Sequence, residues 1–449
     1  MIYLKQLIKK LVNNKYYIKI KNNAFWSNLF KNSFWAFSGD AIASILGLII
    51  TILLIRCIGS EKYGILVLAQ TYMTMLDTIL NIQSWKSVIQ YGQKSLINRD
   101  INSLNGYIKL GSILDIFTAI LGGIVSIFIA PYIGKMLNWS SELIICSQIF
   151  SITILSHFSG TPTAILRILN KFNLVALQKF ITAIFKLIMI VLTFIIKNDT
   201  VGVIDVVIVY CFADIIGNFL LVFLAFYEYS KLNNHKCKIY KSKLPNDTKE
   251  FTKFTIWGTL GDIVDVPVNY FDVFIISFLG NELVSVFKVF KQCIAIIQKV
   301  TSPIQQSILP QFSELSAKGD VKRGFEVVMK IRNAIIKIIG PVILIIGITS
   351  PIWLNMIYGK IYSENWYILC IYLLVQVVAL SYTTVHPYFL SLDKAKHSTL
   401  YVLLSNVIYI FLALILVHYI GMLGIVLAYA IQCFIVIYLK VRNIKKNSI

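Results

Sequence analysis

The chain has 449 residues, of which 57% are hydrophobic and 14% are charged, and its mean hydropathy is +0.75. A soluble protein has about a quarter of its residues charged, so the composition excludes a soluble globular fold and predicts a membrane protein. The net charge is +21, but the basic residues lie between apolar runs, which argues against a nucleic-acid-binding domain. The seven Cys have neither CxxC nor Cys/His spacing. We therefore expect no disulfide framework, no metal site and no cofactor.

The first predicted element is a basic segment at residues 1–32, which holds seven Lys. Apolar residues lie among the lysines, a pattern typical of an amphipathic helix on an anionic membrane surface. The alternative is a disordered basic tail that only sets the topology. The uncharged stretches are too short for a cleavable signal peptide.

About twelve apolar segments follow, each close to the ~20 residues that a helix needs to cross a bilayer. They are predicted at residues 33–55, 64–85, 108–130, 142–158, 174–196, 203–226, 254–279, 284–309, 333–353, 366–390, 399–418 and 421–440. The predicted fold class is therefore all-α, a polytopic membrane protein. The fourth span is short and the last two are closely spaced, so about eleven or thirteen spans are alternatives.

The basic residues are distributed unevenly over the loops between these spans. If the N-terminus is cytoplasmic, most Lys and Arg fall in cytoplasmic segments. The opposite loops hold only Arg56, Lys62, Lys135, Lys197 and Lys360. This bias follows the positive-inside rule, so we predict that both termini and a linker at 227–253 face the cytoplasm.

Several short patterns recur in the same order on the two sides of the linker, at nearly constant offset. They are W-x-x-x-G-D at 35–40 and 257–262, the turns at 58–61 and 279–282, Pro131/Met136 with Pro351/Met356, and Gly202/Tyr210 with Gly421/Tyr429. The series predicts two lobes at 33–226 and 254–440, followed by a basic tail at 441–449. With an even number of helices in each lobe, the repeat is parallel, and substrate sites in such folds lie between the halves.

Polar residues line one face of the first two spans of each lobe, which predicts a central cavity between the lobes. The eighth span carries lysines and the seventh carries acids, and the equivalent spans of the first lobe are milder. The candidate cavity residues are Lys288, Lys291, Lys299, Asp262, Asp265, Asp272, Asp40 and Asp77.

The depths of these charges allow two interpretations. Asp272 lies about as deep as Lys288 and Lys291, and the other two acids of that span lie about as deep as Lys299. The charges could be structural ion pairs between neighbouring helices. Alternatively, lysines bind an anionic head group while the acids hold them in place or couple to an ion. Three lysines on one face favour the second interpretation.

Four other polar residues within spans are predicted to make contacts inside one lobe: Asp115, Lys186, Asp205 and Asp214. An alternative role for Asp205 or Asp214 is to bind a coupling cation. The scattered His residues do not indicate a metal site, and we expect His157 and His386 to be ordinary residues of the membrane interface.

Three short motifs resemble those of one family. Residues 55–64 read I-R-C-I-G-S-E-K-Y-G and are similar to the R-x-L-G-x-x-x-Y-G signature of Wzx-type bacterial polysaccharide flippases. Residues 309–313 and 317–320 resemble the P-x-L/F-S and A-x-G-D turn that follows helix 8 in these proteins, and residues 272–280 resemble their D-x(6)-L-G ending of helix 7. In the second half, Val284 and Ser285 stand where the first half has Tyr63 and Gly64.

These flippases belong to the multidrug/oligosaccharidyl-lipid/polysaccharide exporter superfamily. The resemblance implies a transporter, not an enzyme, that moves undecaprenyl-diphosphate-linked oligosaccharide repeat units across the bacterial inner membrane by alternating access, for O-antigen (lipopolysaccharide) or capsule synthesis. It also implies a cationic central cavity, in which the matching residues are Arg56 and the three lysines of the eighth span. The implied partners are the lipid-linked oligosaccharide, membrane lipids, and a polysaccharide polymerase with its chain-length regulator, but no nucleic acid.

Three alternatives remain at this point. A drug/cation antiporter of the same superfamily would have acids rather than lysines dominating the cavity. A polymerase-type membrane enzyme would carry a long outer loop or an acidic motif at the membrane surface, and here the outer loops are short. A lipid II flippase resembles this chain but typically has two additional helices.

Overall fold

The computed structural model describes residues 24–82, 84–232, 239–317, 320–392 and 394–446. Every regular element within these ranges is helical, which confirms the all-α prediction. Most of the predicted amphipathic segment, at residues 1–23, lies outside the described residues.

The helices follow one another with short connections and are numbered here in chain order. They are α1 Ala24–Leu80, α2 Trp85–Ile97, α3 Ile101–Met136, α4 Ser141–Ser151, α5 Gly160–Ile168, α6 Phe172–Lys197, α7 Val203–Leu232, α8 Thr248–Ile263, α9 Asp272–Ser277, α10 Asn281–Ala317, α11 Val321–Ile348, α12 Ser350–Ile357, α13 Lys360–Glu364, α14 Trp366–Ser381, α15 Val385–Ser391, α16 Ala395–Ile420 and α17 Met422–Lys446.

The predicted first and second spans lie in one long helix, α1, which breaks at Gly59. This residue has a φ of 83°, a value that glycine adopts without the steric cost of a Cβ. Gly280, between α9 and α10, has a φ of 119°. The two glycines therefore make the corresponding reversals at one end of the bundle, which we call the turn end. The opposite end, which holds residues 239–247, is called the linker end.

By length and composition, eight described helices could cross a membrane, or nine if α4 and α5 form one bent span. The predicted seventh span is divided among α8, a π-helical turn at Pro267–Phe271, and α9. Both this span and α10 carry the charged residues that the sequence places in a cavity, which lowers their apolarity. The prediction of about twelve spans stays a prediction.

The predicted repeat also stays a prediction, and the structure shows different surroundings for two of its matched positions. Gly39 packs so closely against Ala176 of α6 that a Cβ would lie 2.7 Å from the Ala176 Cβ, whereas a Cβ on Gly261 would meet open space. Pro131 lies inside α3, whereas Pro351 is at the start of α12.

A buried carboxylate organises the first half of the chain. Asp115 of α3 is 1% exposed and accepts hydrogen bonds from the backbone N–H of Ser84 (3.0 Å) and of Thr161 (2.6 Å). These two N–H groups lie at the starts of α2 and α5, where helices leave backbone donors without intrahelical partners. One side chain thus holds two helix starts against α3.

Among the described residues, the largest part of the hydrophobic core joins the two halves at the turn end. The largest cluster of buried apolar residues includes Leu54 and Leu68 of α1 together with Phe287 and Phe290 of α10. Near the linker end, one cluster lies around Leu104 of the first half and includes Phe251 of α8, and another lies within the second half. The halves therefore share their most extensive apolar packing at the turn end, and at the linker end they share a smaller contact made by α8.

Candidate functional site

A cavity lies between the two halves and has two adjoining parts of about 350 Å³ each. Both parts are lined by Gln70 of α1 and by Lys288 and Gln292 of α10. The second arm of α1 and the first half of α10 thus present the polar stripes that the sequence predicts. The shared lining places Lys288 where the two parts meet.

Lys288 is the cation of this cavity that lacks a partner in the described part of the chain: it makes no salt bridge or hydrogen bond there. The other three lysines in the lining each contact a carboxylate: Lys179 pairs with Asp40 (2.5 Å), Lys186 with Asp214 (2.7 Å) and Lys291 with Asp272 (2.6 Å). The paired charges cancel locally, so Lys288 gives the cavity its surplus positive charge.

Lys291 and Asp272 form the ion pair that their equal depth predicts. The carboxylate of Asp272 is buried, and the Lys291 ammonium also donates to the backbone oxygen of Asn269 at 2.8 Å. Removing one partner of a buried pair leaves an uncompensated charge, which costs about 3–5 kcal/mol. The structural interpretation therefore accounts for Lys291.

Lys299 bridges the two halves near the linker end. Its ammonium donates to the backbone oxygen of Asp40 at 2.9 Å and to the hydroxyl of Ser44, both on α1. The sequence places Lys299 level with Asp262, but Asp262 pairs instead with Lys86 of α2 at 2.8 Å. Both contacts join one half of the chain to the other.

Asp265 lines a different cavity, of about 540 Å³, which lies inside the second half. Lys440 lines it too and is only 5% exposed, with its ammonium 3.2 Å from His386 Nδ1. The expectation that His386 is an ordinary residue of the membrane interface stays a prediction, and the structure adds its contact with Lys440. Its position beside a residue 54 places later is a tertiary contact that helical periodicity does not reveal.

Arg56 lies at the turn end, outside the central cavity. Its guanidinium donates to the backbone oxygens of Met356 (3.1 Å) and Ile357 (3.3 Å) at the end of α12. These carbonyls lack intrahelical partners and carry the negative end of the helix dipole, which a cation stabilises. In this structure Arg56 fastens the two halves together.

Other residues of the same motif also hold the turn end closed, a role that sequence reasoning missed. Gly64 of α1 is so close to α10 that a Cβ on it would collide with the backbone carbonyl of Asn281. The Ser60 hydroxyl donates to Glu282 at 3.0 Å. The buried hydroxyl of Tyr63 hydrogen-bonds with Thr51 at 3.1 Å. Thus Ser60 and Gly64 of the motif contact the second half, whereas Tyr63 joins the two arms of α1.

Asp77 lies inside the first half, where it pairs with His157. Its carboxylate contacts His157 Nδ1 at 2.5 Å and the Asn81 amide at 3.0 Å. The chain bends between α4 and α5 at this point, and the His157 ring reaches α1 there. The expectation that His157 is an ordinary residue of the membrane interface stays a prediction. Asp205 and Lys197 pair at 2.5 Å within the first half, as do Asp214 and Lys186, in agreement with the prediction of contacts inside one lobe.

Comparison with known proteins places the chain in a sequence family. The family described as "Polysaccharide biosynthesis protein" matches residues 29–316. "Inner membrane protein YghQ" of Escherichia coli (strain K12) is 29% identical over 149 residues, which are 32% of this chain and 40% of that protein. The chain therefore matches less than half of the length of this curated relative.

The fold is similar to those of two solved transporters. One is a multidrug resistance MATE family transporter of the MOP superfamily in its inward-facing conformation, with a TM-score of 0.69, 11% identity, and coverage of 92% of this chain and 96% of that chain. The other is the lipid II flippase MurJ in an inward closed conformation, with a TM-score of 0.68, 16% identity, and coverage of 91% and 87%. The chain therefore has the polytopic membrane fold that these two proteins share.

Proposed function

Because the chain belongs to the polysaccharide biosynthesis protein family, we propose that it is a flippase for undecaprenyl-diphosphate-linked oligosaccharide repeat units. It moves them from the inner to the outer face of the bacterial inner membrane, and they supply O-antigen or capsule. A family model that matches more than half of the chain supports this class of function. The site residues discussed below belong to the same proposal.

The observation that carries the proposal is Lys288, a cation without a partner among the described residues that faces a cavity between the halves. A lysine inside a membrane helix costs about 2.5–3.5 kcal/mol on insertion scales. An ion pair can lower that cost for Lys291, whereas Lys288 makes no salt bridge within the described ranges, and the nearby carboxylate of Asp272 is already paired with Lys291. An anionic head group in the cavity would supply it, and a diphosphate matches the sign of the charge.

The acids support an anionic rather than a cationic substrate. Four of the five candidate acids each contact a basic side chain: Asp40 with Lys179, Asp77 with His157, Asp262 with Lys86, and Asp272 with Lys291. The fifth, Asp265, lines the separate cavity inside the second half. A drug/cation antiporter would present unpaired acids to its substrate. Here the unpaired charge in the cavity is positive.

The linker end opens more easily than the turn end in this proposal. Lys86 and Asp262 are 33% and 52% exposed, and exposed ion pairs contribute about 0–1 kcal/mol. At the turn end the halves share a hydrophobic core and the close contact at Gly64. We therefore assign the linker end to the cytoplasm, where the substrate enters, in agreement with the predicted positive-inside orientation.

The membrane potential favours outward movement. Each negative charge gains about 2.3 kcal/mol per 100 mV when it moves out of a cell whose interior is negative. A diphosphate with about two charges gains about twice that amount. Lys288 then binds the head group during the exchange between the two open states, while the oligosaccharide occupies the space between the halves.

The test compares Lys288 with its paired neighbour Lys291. Loss of a charged hydrogen bond is worth about 1.5–3 kcal/mol, or about 10- to 150-fold in binding. We expect Lys288→Ala to lose surface polysaccharide by such a factor at normal membrane abundance. Lys288→Arg keeps the charge and should retain part of the activity.

Lys291→Ala is the matched control on the same helix. It leaves Asp272 buried and unpaired, so we expect lower membrane abundance, and Asp272→Asn in the same chain should restore both abundance and export. Normal export from Lys288→Ala would refute the cationic site. Rescue of Lys288→Ala by Asp272→Asn would show that Lys288 also has a structural role.

A further inference from the structure

An apolar groove lies directly beside the cation cavity, near the turn end. It has a volume of about 350 Å³, within the about 300–1,000 Å³ that is usual for ligand sites. Its described lining consists of apolar side chains from both halves, among them Met75, Met136, Phe271, Phe274, Phe278 and Leu414. Met136 and Phe278 are largely exposed, so the groove opens to the lipid side of the bundle.

The groove and the cation cavity are separated by two chain segments, residues 74–78 of α1 and residues 270–274, whose contact we call the seam. On the chain between α8 and α10, Tyr270 and Val273 line the cavity, whereas Phe271 and Phe274 line the groove. On α1, Thr74 lines the cavity and the next residue, Met75, lines the groove. The two spaces therefore lie on opposite sides of the same pair of segments.

Two features of the seam favour separation of its two segments. Among the described residues, one side-chain hydrogen bond crosses it between the two halves, from Thr78 to Tyr270 (3.2 Å between the hydroxyls), beside the packing of Phe274 against Trp139. Tyr270 lies in the π-helical turn that begins at Pro267. A π-helical turn inside a helix is rare and is frequently found at functional sites, and Pro267 removes one backbone donor there.

We propose that the groove binds the apolar chain of the transported amphiphile while its anionic head group occupies the cation cavity at Lys288. This inference rests on the proposed function and names the second part of its substrate site. A head group buried between the halves has to be joined to its chain through some gap in the wall. The Thr78–Tyr270 seam leads directly from the lysines to an all-apolar space, in which each buried CH₂ of the chain is favourable.

The test uses the full chain in nanodiscs of phosphatidylethanolamine and phosphatidylglycerol. The probe is farnesyl diphosphate with a diazirine at the far end of the chain, and the label is mapped by mass spectrometry. We expect label within residues 271–278 or on Ile410 and Leu414, which line the groove. Label spread evenly over the exposed face of α16, including Phe411, would overturn the proposal.

Two matched variants on α16 decide whether the groove itself holds the chain. Leu414→Trp fills the groove, and we expect at least about fivefold less label, the lower end of what overpacking of a fitted site costs. Ile415 is the next residue, is 54% exposed and does not line the groove. Ile415→Trp should change labelling by less than about twofold, and equal labelling of the two variants would overturn the groove.

A probe without a chain separates this inference from the proposed function. Radiolabelled inorganic diphosphate should bind Leu414→Trp as well as it binds the unmodified protein, which also shows that the variant is folded. It should bind Lys288→Ala weakly. Unchanged diphosphate binding by Lys288→Ala would refute the binding of the head group in the cation cavity. The photolabelling result tests the binding of the apolar chain in the groove.

Discussion

The close contact at Gly64 leads to a prediction about closure of the turn end. A Gly64→Ala change has two effects of opposite sign, a gain in helix propensity and a steric clash. Gly64 lies in a helix, where alanine is favoured over glycine by about 0.5–1 kcal/mol. However, the new Cβ would collide with the backbone carbonyl of Asn281 and lie 3.0 Å from its Cα. Because the obstacle is backbone, no side-chain rotation can relieve it.

The steric effect should win, and it acts on one conformation only. Overpacking of a close contact costs about 1–3 kcal/mol. Only the state with a closed turn end contains this contact, so the full cost shifts the equilibrium towards the open state by about 5- to 150-fold. The gain in helix propensity is present in both states and cancels. We therefore expect normal abundance, a weakened closed state and reduced export.

The assay measures closure of the turn end directly. In a cysteine-free background, Ser60→Cys and Glu282→Cys place thiols on two side chains that are 3.0 Å apart in the closed state. A short bifunctional thiol-reactive reagent should cross-link them in the presence of Gly64, and the cross-linking rate should fall with Gly64→Ala, by at most the factor above. In the protein that keeps Gly64, complete cross-linking should also stop export.

Gly261→Ala provides the control. Gly261 is also a helical glycine, but a Cβ there has no neighbour within 4 Å, so the cross-linking rate should stay unchanged. Equal rates for Gly64→Ala and Gly261→Ala would refute the idea that Gly64 is needed to close the turn end.

Two further predictions concern topology and stability. Reporter fusions after Lys243 and Lys360 should give cytoplasmic and periplasmic signals, respectively, because of the positive-inside bias, and the same signal at both sites would contradict the orientation. Asp115→Ala leaves two buried N–H groups without their acceptor, at about 1–3 kcal/mol each, so the melting temperature of the purified protein should fall markedly. Glu364→Ala removes an exposed pair with Lys360 (3.6 Å) and should cost no more than about 0.5 kcal/mol. Similar melting temperatures for these two variants would contradict the anchoring role of Asp115.

The sequence alone determined the class of fold and the polar faces of the central helices. Apolar runs require helices in a bilayer, because each backbone polar group needs a partner inside the segment. Helical periodicity places Lys288 and Lys291 on one face of α10, and their depth relative to Asp272 predicts the observed ion pair. These features depend on residues close in sequence or on adjacent helices, so pattern and depth suffice.

Only the tertiary structure decided which charges have partners and what each one does. Arg56 contacts carbonyls 300 residues away, His157 reaches Asp77 across a bend, and Asp262 finds Lys86 rather than a lysine of its own half. Periodicity sets the direction of a side chain around its own helix axis, but not which other helix lies there. Those neighbours depend on how the two halves pack. The same packing makes a glycine of a short motif an interface residue and leaves Lys288, of the three candidate lysines, facing the cavity without a partner in the described ranges.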